Sequence, residues 1–217
     1  MLNHPYLLFF DFETTGLSPY NDQIIEVGAL LLKKSGDQYI EVERMNELLQ
    51  IDRPLPEKIT EITQITADML KEQGIAQEIA CQRFQMMLAY EPLLIAYNIQ
   101  FDLGFLQSWL RRYTHPQAEI HLDVLDVMAV YKDRHRFPHR LESAVQTYQV
   151  EVQNTHRAID DVVATYHVLE KLNQEQPNLE KYVNKVGYNP KYGRSGPKLD
   201  HVQYVAQYGG RREIEKL

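Results

Sequence analysis

Cysteine is almost missing from this chain: Cys81 is alone among 217 residues, which excludes an intramolecular disulfide and a cysteine-based zinc cluster and fits a reducing interior. Long apolar runs are missing too, and nothing approaches the roughly 20 consecutive apolar residues that a membrane helix needs. The opening MLNHPYLLFFDFE has no basic start and no small-residue cleavage site, and Asp11 and Glu13 interrupt its apolar run early, so a secretory signal is not expected there. Positive charge is in deficit, with 23 Lys and Arg against 30 Asp and Glu and a net charge of -7. That balance argues against a simple phosphate-binding surface, which relies on cations. The expectation is a soluble cytoplasmic protein that does not enter a membrane.

The charge that is present is unevenly spread. From Lys181 onward eight basic residues face three acidic ones, so the body of the chain is the acidic part. An acidic body can still hold a polyanion where its carboxylates hold divalent cations, because the ions reverse the local sign. With 44% hydrophobic residues the chain supports one well-buried core and is short for two ordinary domains. Beyond Pro177 its character changes to Gly, Pro and five tyrosines among basic residues. We therefore expect a domain over 1–176 and an extended C-terminal extension over 177–217.

Apolar, β-prone runs cover Tyr6 to Phe12 and Ile24 to Lys33, with a turn-like segment between them, and a third candidate strand runs from Gln38 to about Leu49. Helical spacing follows over Ile59 to Lys71 and Ile75 to Tyr90, with Ile79, Phe84, Met87 and Leu88 on the inner face. A short buried strand, Leu93 to Tyr97, leads into a helix from about Phe101 to Tyr113. A strand near Ile120 to Val124, helical segments near Asp126 and Leu141, and a strong helix over Ala158 to Leu172 complete the pattern. A strand meander followed by alternating strands and helices predicts an α/β fold with a mixed sheet and helices on both faces.

Three constellations carry chemistry. In Asp11-Phe12-Glu13-Thr14-Thr15-Gly16-Leu17, residues two apart on a strand share a face, so Asp11 and Glu13 can converge on one cation; hard oxygen ligands suit Mg²⁺ or Mn²⁺. The same acids would also simply end a strand. Ala96-Tyr97-Asn98-Ile99-Gln100-Phe101-Asp102 brings a third carboxylate to a strand-to-helix junction, where Asn and Asp also serve as caps. His156-Arg157-Ala158-Ile159-Asp160-Asp161 places a histidine before a helix and Asp161 a little over one turn into it, and Asp160 and Asp161 there would also complement the positive helix end.

The ordered set Asp-x-Glu-Thr-Thr-Gly, Asn-x-x-Phe-Asp and His-Arg-Ala-x-x-Asp resembles the DEDDh class of 3′ to 5′ exonucleases, to which the epsilon subunit of bacterial DNA polymerase III belongs, over most of residues 6 to 172. The resemblance implies a ribonuclease-H-like mixed five-stranded sheet. It makes Asp11, Glu13, Asp102 and Asp161 the carboxylates that hold two Mg²⁺ or Mn²⁺ ions, and His156 the general base. It further implies that Thr14, Thr15, Leu17, Asn98 and Phe101 line the terminal nucleotide, although Leu17 and Phe101 read equally well as core. The implied activity is release of nucleoside 5′-monophosphates from the 3′ end of single-stranded DNA or RNA, in proofreading or repair and with a DNA polymerase as a possible partner. RNA trimming, or a binding module of the same fold without activity, are the alternatives. Tyr97 stands where histidine is frequent in the family, Gln64 where glycine is usual, and Ala144 where leucine is frequent. His135 and His139 read as surface residues, Met86 and Met87 as core fillers, and the basic, tyrosine-bearing tail as a docking extension or a grip on single strands.

Overall fold

The computed structural model describes residues 2–152 and 157–217. Strands β1 (Tyr6–Thr14), β2 (Ile24–Ser35) and β3 (Gln38–Leu48) form the expected antiparallel meander. Strands β4 (Leu93–Ala96) and β5 (Val124–Asp126) add in parallel to the free side of β1, giving the order β3-β2-β1-β4-β5. The strand expected over Ile120 to Val124 thus lies a few residues later. Ile120 is buried outside the ladder, so its apolar character marks packing and not strand.

Alternation along β1 sorts its side chains between two layers. Leu8, Phe10 and Phe12 face α3 (Gln77–Leu88) and α4 (Ile99–Tyr113), whereas Leu7 and Phe9 face α5 (Val127–Arg134), α6 (Leu141–Tyr148) and α7 (Ala158–Glu175). On the first side Phe84 lies with its ring centroid 5.7 Å from both Phe10 and Phe12 and 6.0 Å from Trp109. Edge-to-face and tilted contacts of this kind add about 0.5–1.5 kcal/mol each beyond burial, and Trp109 donates its indole N–H to Gln77 Oε1 at 3.0 Å. On the second side Ala144 is fully buried in α6.

Several expectations are corrected. The helix expected over Ile59 to Lys71 is two, α1 (Glu57–Thr63) and α2 (Ala67–Gln73). Gln64 between them takes φ 60°, the left-handed region, and Thr66 caps the second helix by accepting from Met69 N. A side chain there is disfavoured relative to glycine, which agrees with glycine being usual at this position. Ile79 and Met86 are exposed, while Phe84 and Met87 fill the core. His135 and His139 are half-buried: the ring of His135 stacks on Tyr131 at 4.5 Å and hydrogen-bonds Tyr148 Oη, and His139 Nε2 bonds the His135 carbonyl.

The C-terminal segment is docked and not extended. It forms a 3₁₀ turn (Leu179–Tyr182) and two parallel strands, β6 (Lys185–Tyr188) and β7 (Gln203–Ala206). Leu179, Tyr182 and Ile214 join the α5–α7 layer, and Val186, Leu199 and Val202 join the α3–α4 layer. Asp133, fully buried on α5, accepts hydrogen bonds from Tyr182 Oη, Gln207 Nε2, Ile214 N and Glu215 N at 2.9–3.2 Å.

Candidate active site

The end of β1 sits at the centre of the sheet, and its outward-facing alternation continues past Phe9, so Asp11 and Glu13 emerge on the α7 side. One carboxylate oxygen from each of Asp11, Glu13 and Asp161 lies within 4.8 Å of the others. The three are half-buried. Asp102 enters from the first turn of α4, is 2% exposed, and accepts the Phe12 N–H at 3.2 Å. The four carboxylates named from the sequence therefore come from β1, α4 and α7 to one end of the sheet. His156 lies outside the described residues.

Electrostatics follow from that crowding. Burial raises the Asp11 carboxyl well above its ordinary value, and the charges of Asp161 and Glu26 push it further. Glu13 is raised to about 9 by burial and by Asp11, Asp161 and Glu26, with Arg157 acting in the opposite direction. Asp102 is raised by burial and by Asp11, while the Phe12 N–H pulls it down. Like charges held this close favour protonation, or a cation that replaces the protons. The donors are all hard carboxylate oxygens, a set that fits Mg²⁺ or Mn²⁺ and offers nothing to a soft metal.

Glu26 was not singled out from the sequence. It pairs with Glu13 across the β1–β2 ladder and is fully buried, yet it is fully engaged: Arg157 donates to Oε1 through Nε at 2.7 Å and Nη2 at 2.5 Å, and Ala158 N donates to Oε2 at 2.9 Å. Two residues along β2, a Cβ on Gly28 would stand 2.4 Å from the Ala158 carbonyl carbon, so the glycine lets the helix start rest directly on the strand. Glu26 and Gly28 thus seat α7, which carries Asp161. A lone acid inside the apolar run Ile24-Ile25-Glu26-Val27 was the available signal, since a buried charge demands a partner. Asp126 does similar work for α4: fully buried, it accepts from Asn98 N and Met128 N at 3.0 Å, with its carboxyl raised to about 6 by burial against those hydrogen bonds.

The remaining candidates divide. Thr14 donates its hydroxyl to the Gly16 carbonyl, and Thr15 donates to Asp22 Oδ1 and accepts from Gln23 N, so both hydroxyls shape the loop after β1. Leu17 is 84% exposed at that loop, which rules out the core reading for it, and Tyr20 stands out further at 88%. Phe101 is half-buried against the α4 layer, its ring 5.1 Å from Phe105. Asn98 begins α4 in the left-handed region at φ 66°, a conformation that asparagine tolerates. Tyr97 donates its hydroxyl to the His139 carbonyl. No helix among the described residues is long and apolar enough to cross a membrane.

Residues 8–169 match the family described as Exonuclease (RNase_T). Sequence relatives include the PolC-type DNA polymerase III of Lacticaseibacillus paracasei, 29% identical over 216 residues that cover 96% of this chain and 14% of that protein. The PolC-type DNA polymerase III of Halalkalibacterium halodurans is 33% identical over 164 residues, covering 74% of this chain and 11% of that protein. The chain thus spans between 11% and 14% of the length of these curated relatives. Among solved structures, exonuclease I superposes with a TM-score of 0.71 at 22% identity, covering 82% of this chain and 42% of that one. Escherichia coli exonuclease I in complex with a dA16 oligonucleotide superposes at 0.67 with 20% identity, covering 82% and 42%. These last two likenesses show the fold.

Proposed function

The chain belongs to the RNase_T exonuclease family, and from that footing we propose that it removes nucleoside 5′-monophosphates from the 3′ end of single-stranded DNA. The observation that carries this reading is the convergence of Asp11, Glu13 and Asp161 within 4.8 Å, with Asp102 beside them. Those four carboxylates would hold two divalent cations, Mg²⁺ or Mn²⁺. When bound, such ions polarise the phosphoryl oxygens and lower the pKa of water.

The chain's own groups do the rest. His156 takes the proton from the attacking water, a role suited to an imidazole whose ordinary pKa of about 6.5 lies near working pH. Leu17 and Phe101 offer apolar surfaces against the unstacked terminal base, with Asn98 and the loop shaped by Thr14 and Thr15 forming the rest of that pocket. Glu26 and Asp126 hold the helix starts that carry Asp161 and Asp102. Residues 1–176 form the catalytic unit and 177–217 the extension that docks on it. The PolC names of the sequence relatives support DNA over RNA, a proofreading role beside a DNA polymerase, and with it a cytoplasmic location.

The test is incubation with 3′-labelled and 5′-labelled single-stranded DNA, with Mg²⁺ or Mn²⁺ and with chelator, and with Asp11→Asn in parallel. Metal-dependent release of mononucleotides from the 3′ end alone, abolished in the variant, is expected. Release confined to an RNA substrate would move the reading to RNA trimming, and no release from either would leave a binding module. For His156, a pH–rate profile unchanged in His156→Ala would remove it as the base.

A further inference from the structure

One turn along α4 from Phe101 lies a cleft of about 940 Å³ to which the proposed reaction assigns no role. Its floor is one face of α4, where Gly104, Ser108 and Arg112 follow one another at the i, i+4 spacing. It begins at Gly104, three residues after Phe101 and on the same helix face, and from there to Arg112 the helix advances ~12 Å at about 1.5 Å per residue. One wall is Pro19 and Tyr20, from the same loop as Leu17. The opposite wall is the C-terminal segment 196–201.

That second wall is built in and not draped. A Cβ on Gly196, at φ +71°, would stand 2.1 Å from the Gln100 carbonyl oxygen, so glycine is what lets the segment cross the first turn of α4. Gln100 then holds it from both sides, donating to the Gly187 carbonyl at 3.0 Å and accepting from Ser195 N at 3.2 Å. Tyr204 donates to the Pro197 carbonyl and accepts from Leu199 N, and His201 Nε2 bonds the Leu122 carbonyl.

The lining carries three permanent cations against two carboxylates, with one exposed aromatic ring. Arg111, Arg112 and Lys198 contribute permanent positive charge, and Tyr20 presents a ring that is 88% exposed. The carboxylates Glu119 and Asp200 also line the cleft. The pairs Arg111–Glu119 at 4.0 Å, Arg112–Asp52 at 3.6 Å and Lys198–Asp200 at 3.8 Å all involve exposed side chains, and solvent-exposed pairs of this length contribute little, so the cations can exchange them for phosphates.

We infer that this cleft is the path of the single strand immediately 5′ of the nucleotide being removed, with Arg111, Arg112 and Lys198 on its phosphates and Tyr20 stacked on a base. The inference rests on the proposed exonuclease reading and gives the C-terminal extension its function, a wall of the substrate path.

The experiment compares wild type with Arg111→Ala/Arg112→Ala/Lys198→Ala and, separately, Tyr20→Ala, on DNA strands of two to twelve nucleotides across a salt series. The p-nitrophenyl ester of thymidine 5′-monophosphate, which has no strand beyond the reacting nucleotide, reports the carboxylate site by itself. Wild-type KM should fall as the strand lengthens over its first few nucleotides and then level off. In the triple variant KM on the twelve-nucleotide strand should rise at least about tenfold, the equivalent of one charge-assisted contact. The slope of log KM against log salt should shrink by about 2, at roughly 0.7 per neutralised phosphate on a single strand. Tyr20→Ala should raise KM at low and high salt alike. Wild-type hydrolysis of the ester together with unchanged length and salt dependence in the triple variant would overturn the cleft alone. Absence of metal-dependent ester and strand hydrolysis in wild type would instead overturn the exonuclease reading.

Discussion

Two sets of carboxylates, one fully buried and one half-buried, lie within this one fold and are treated in opposite ways. Glu26 and Asp133 are each surrounded by donors, from Arg157 and Ala158 in one case and from Tyr182, Gln207, Ile214 and Glu215 in the other. Asp11 and Glu13 are surrounded by further carboxylates, and their pKa values rise accordingly. A buried charge met by donors is a structural joint. A cluster of carboxylates turned on one another, with Arg157 acting on Glu13 in the opposite direction, is the arrangement that the proposed metal site requires, and that difference sets the joints apart from the proposed site.

The sharpest way to break the comparison is to neutralise one member of each set. Asp11→Asn should reduce exonuclease turnover by on the order of 10³-fold or more, comparable with losing a preorganised electrostatic group, while leaving the melting temperature of the metal-free protein unchanged or higher. Glu26→Gln should do the reverse in kind: it leaves Arg157 without its carboxylate and should cost about 3–5 kcal/mol of stability, the usual consequence of stripping one partner from a buried pair, read by denaturant unfolding. Asp11→Asn that melts early, or Glu26→Gln that is fully stable, would erase the distinction. Asp133→Asn keeps one acceptor oxygen and turns an amide toward the other donors, so a smaller loss of about 1–3 kcal/mol is expected, with the C-terminal segment becoming protease-sensitive first.

These joints explain how much of the fold is legible in the sequence. Asp11 and Glu13 were legible because strand alternation puts residues two apart on one face, and the apolar run before them shows that the strand is central. The strong periodicity of α7 placed Asp161 on a helix start. Glu26 was visible only as an anomaly, because its partner Arg157 is 131 positions away and sequence periodicity carries no information at that distance. The same holds for the C-terminal segment, whose apolar residues are scattered among glycines and prolines and whose joints run to Asp133 on α5. The break at Gln64 was hidden from periodicity, and its one sign was the resemblance, in which glycine is usual at that position.

A finer prediction concerns pH. Glu13 titrates at about 9 in the fold against an ordinary value of 4.5, so its ionisation is disfavoured by folding. The stability associated with its neutral form is complete below about 4.5 and is lost as pH rises toward about 9. Metal-free wild type and Glu13→Gln should therefore melt together near pH 4.5, and the variant should become progressively the more stable of the two up to pH 8.5. A gap that stays constant, or that closes with rising pH, would contradict the electrostatic account of the cluster.

The most direct test of the central claim is calorimetric titration of Mn²⁺ into wild type and Asp11→Asn at pH 7, in two buffers of different ionisation enthalpy. The account predicts saturable binding to wild type with net proton release, since carboxyls with raised pKa values give up protons to the ion, and weak or undetectable binding to the variant. Binding of equal strength to both proteins, or none to wild type, would mean that Asp11, Glu13 and Asp161 do not form a metal site.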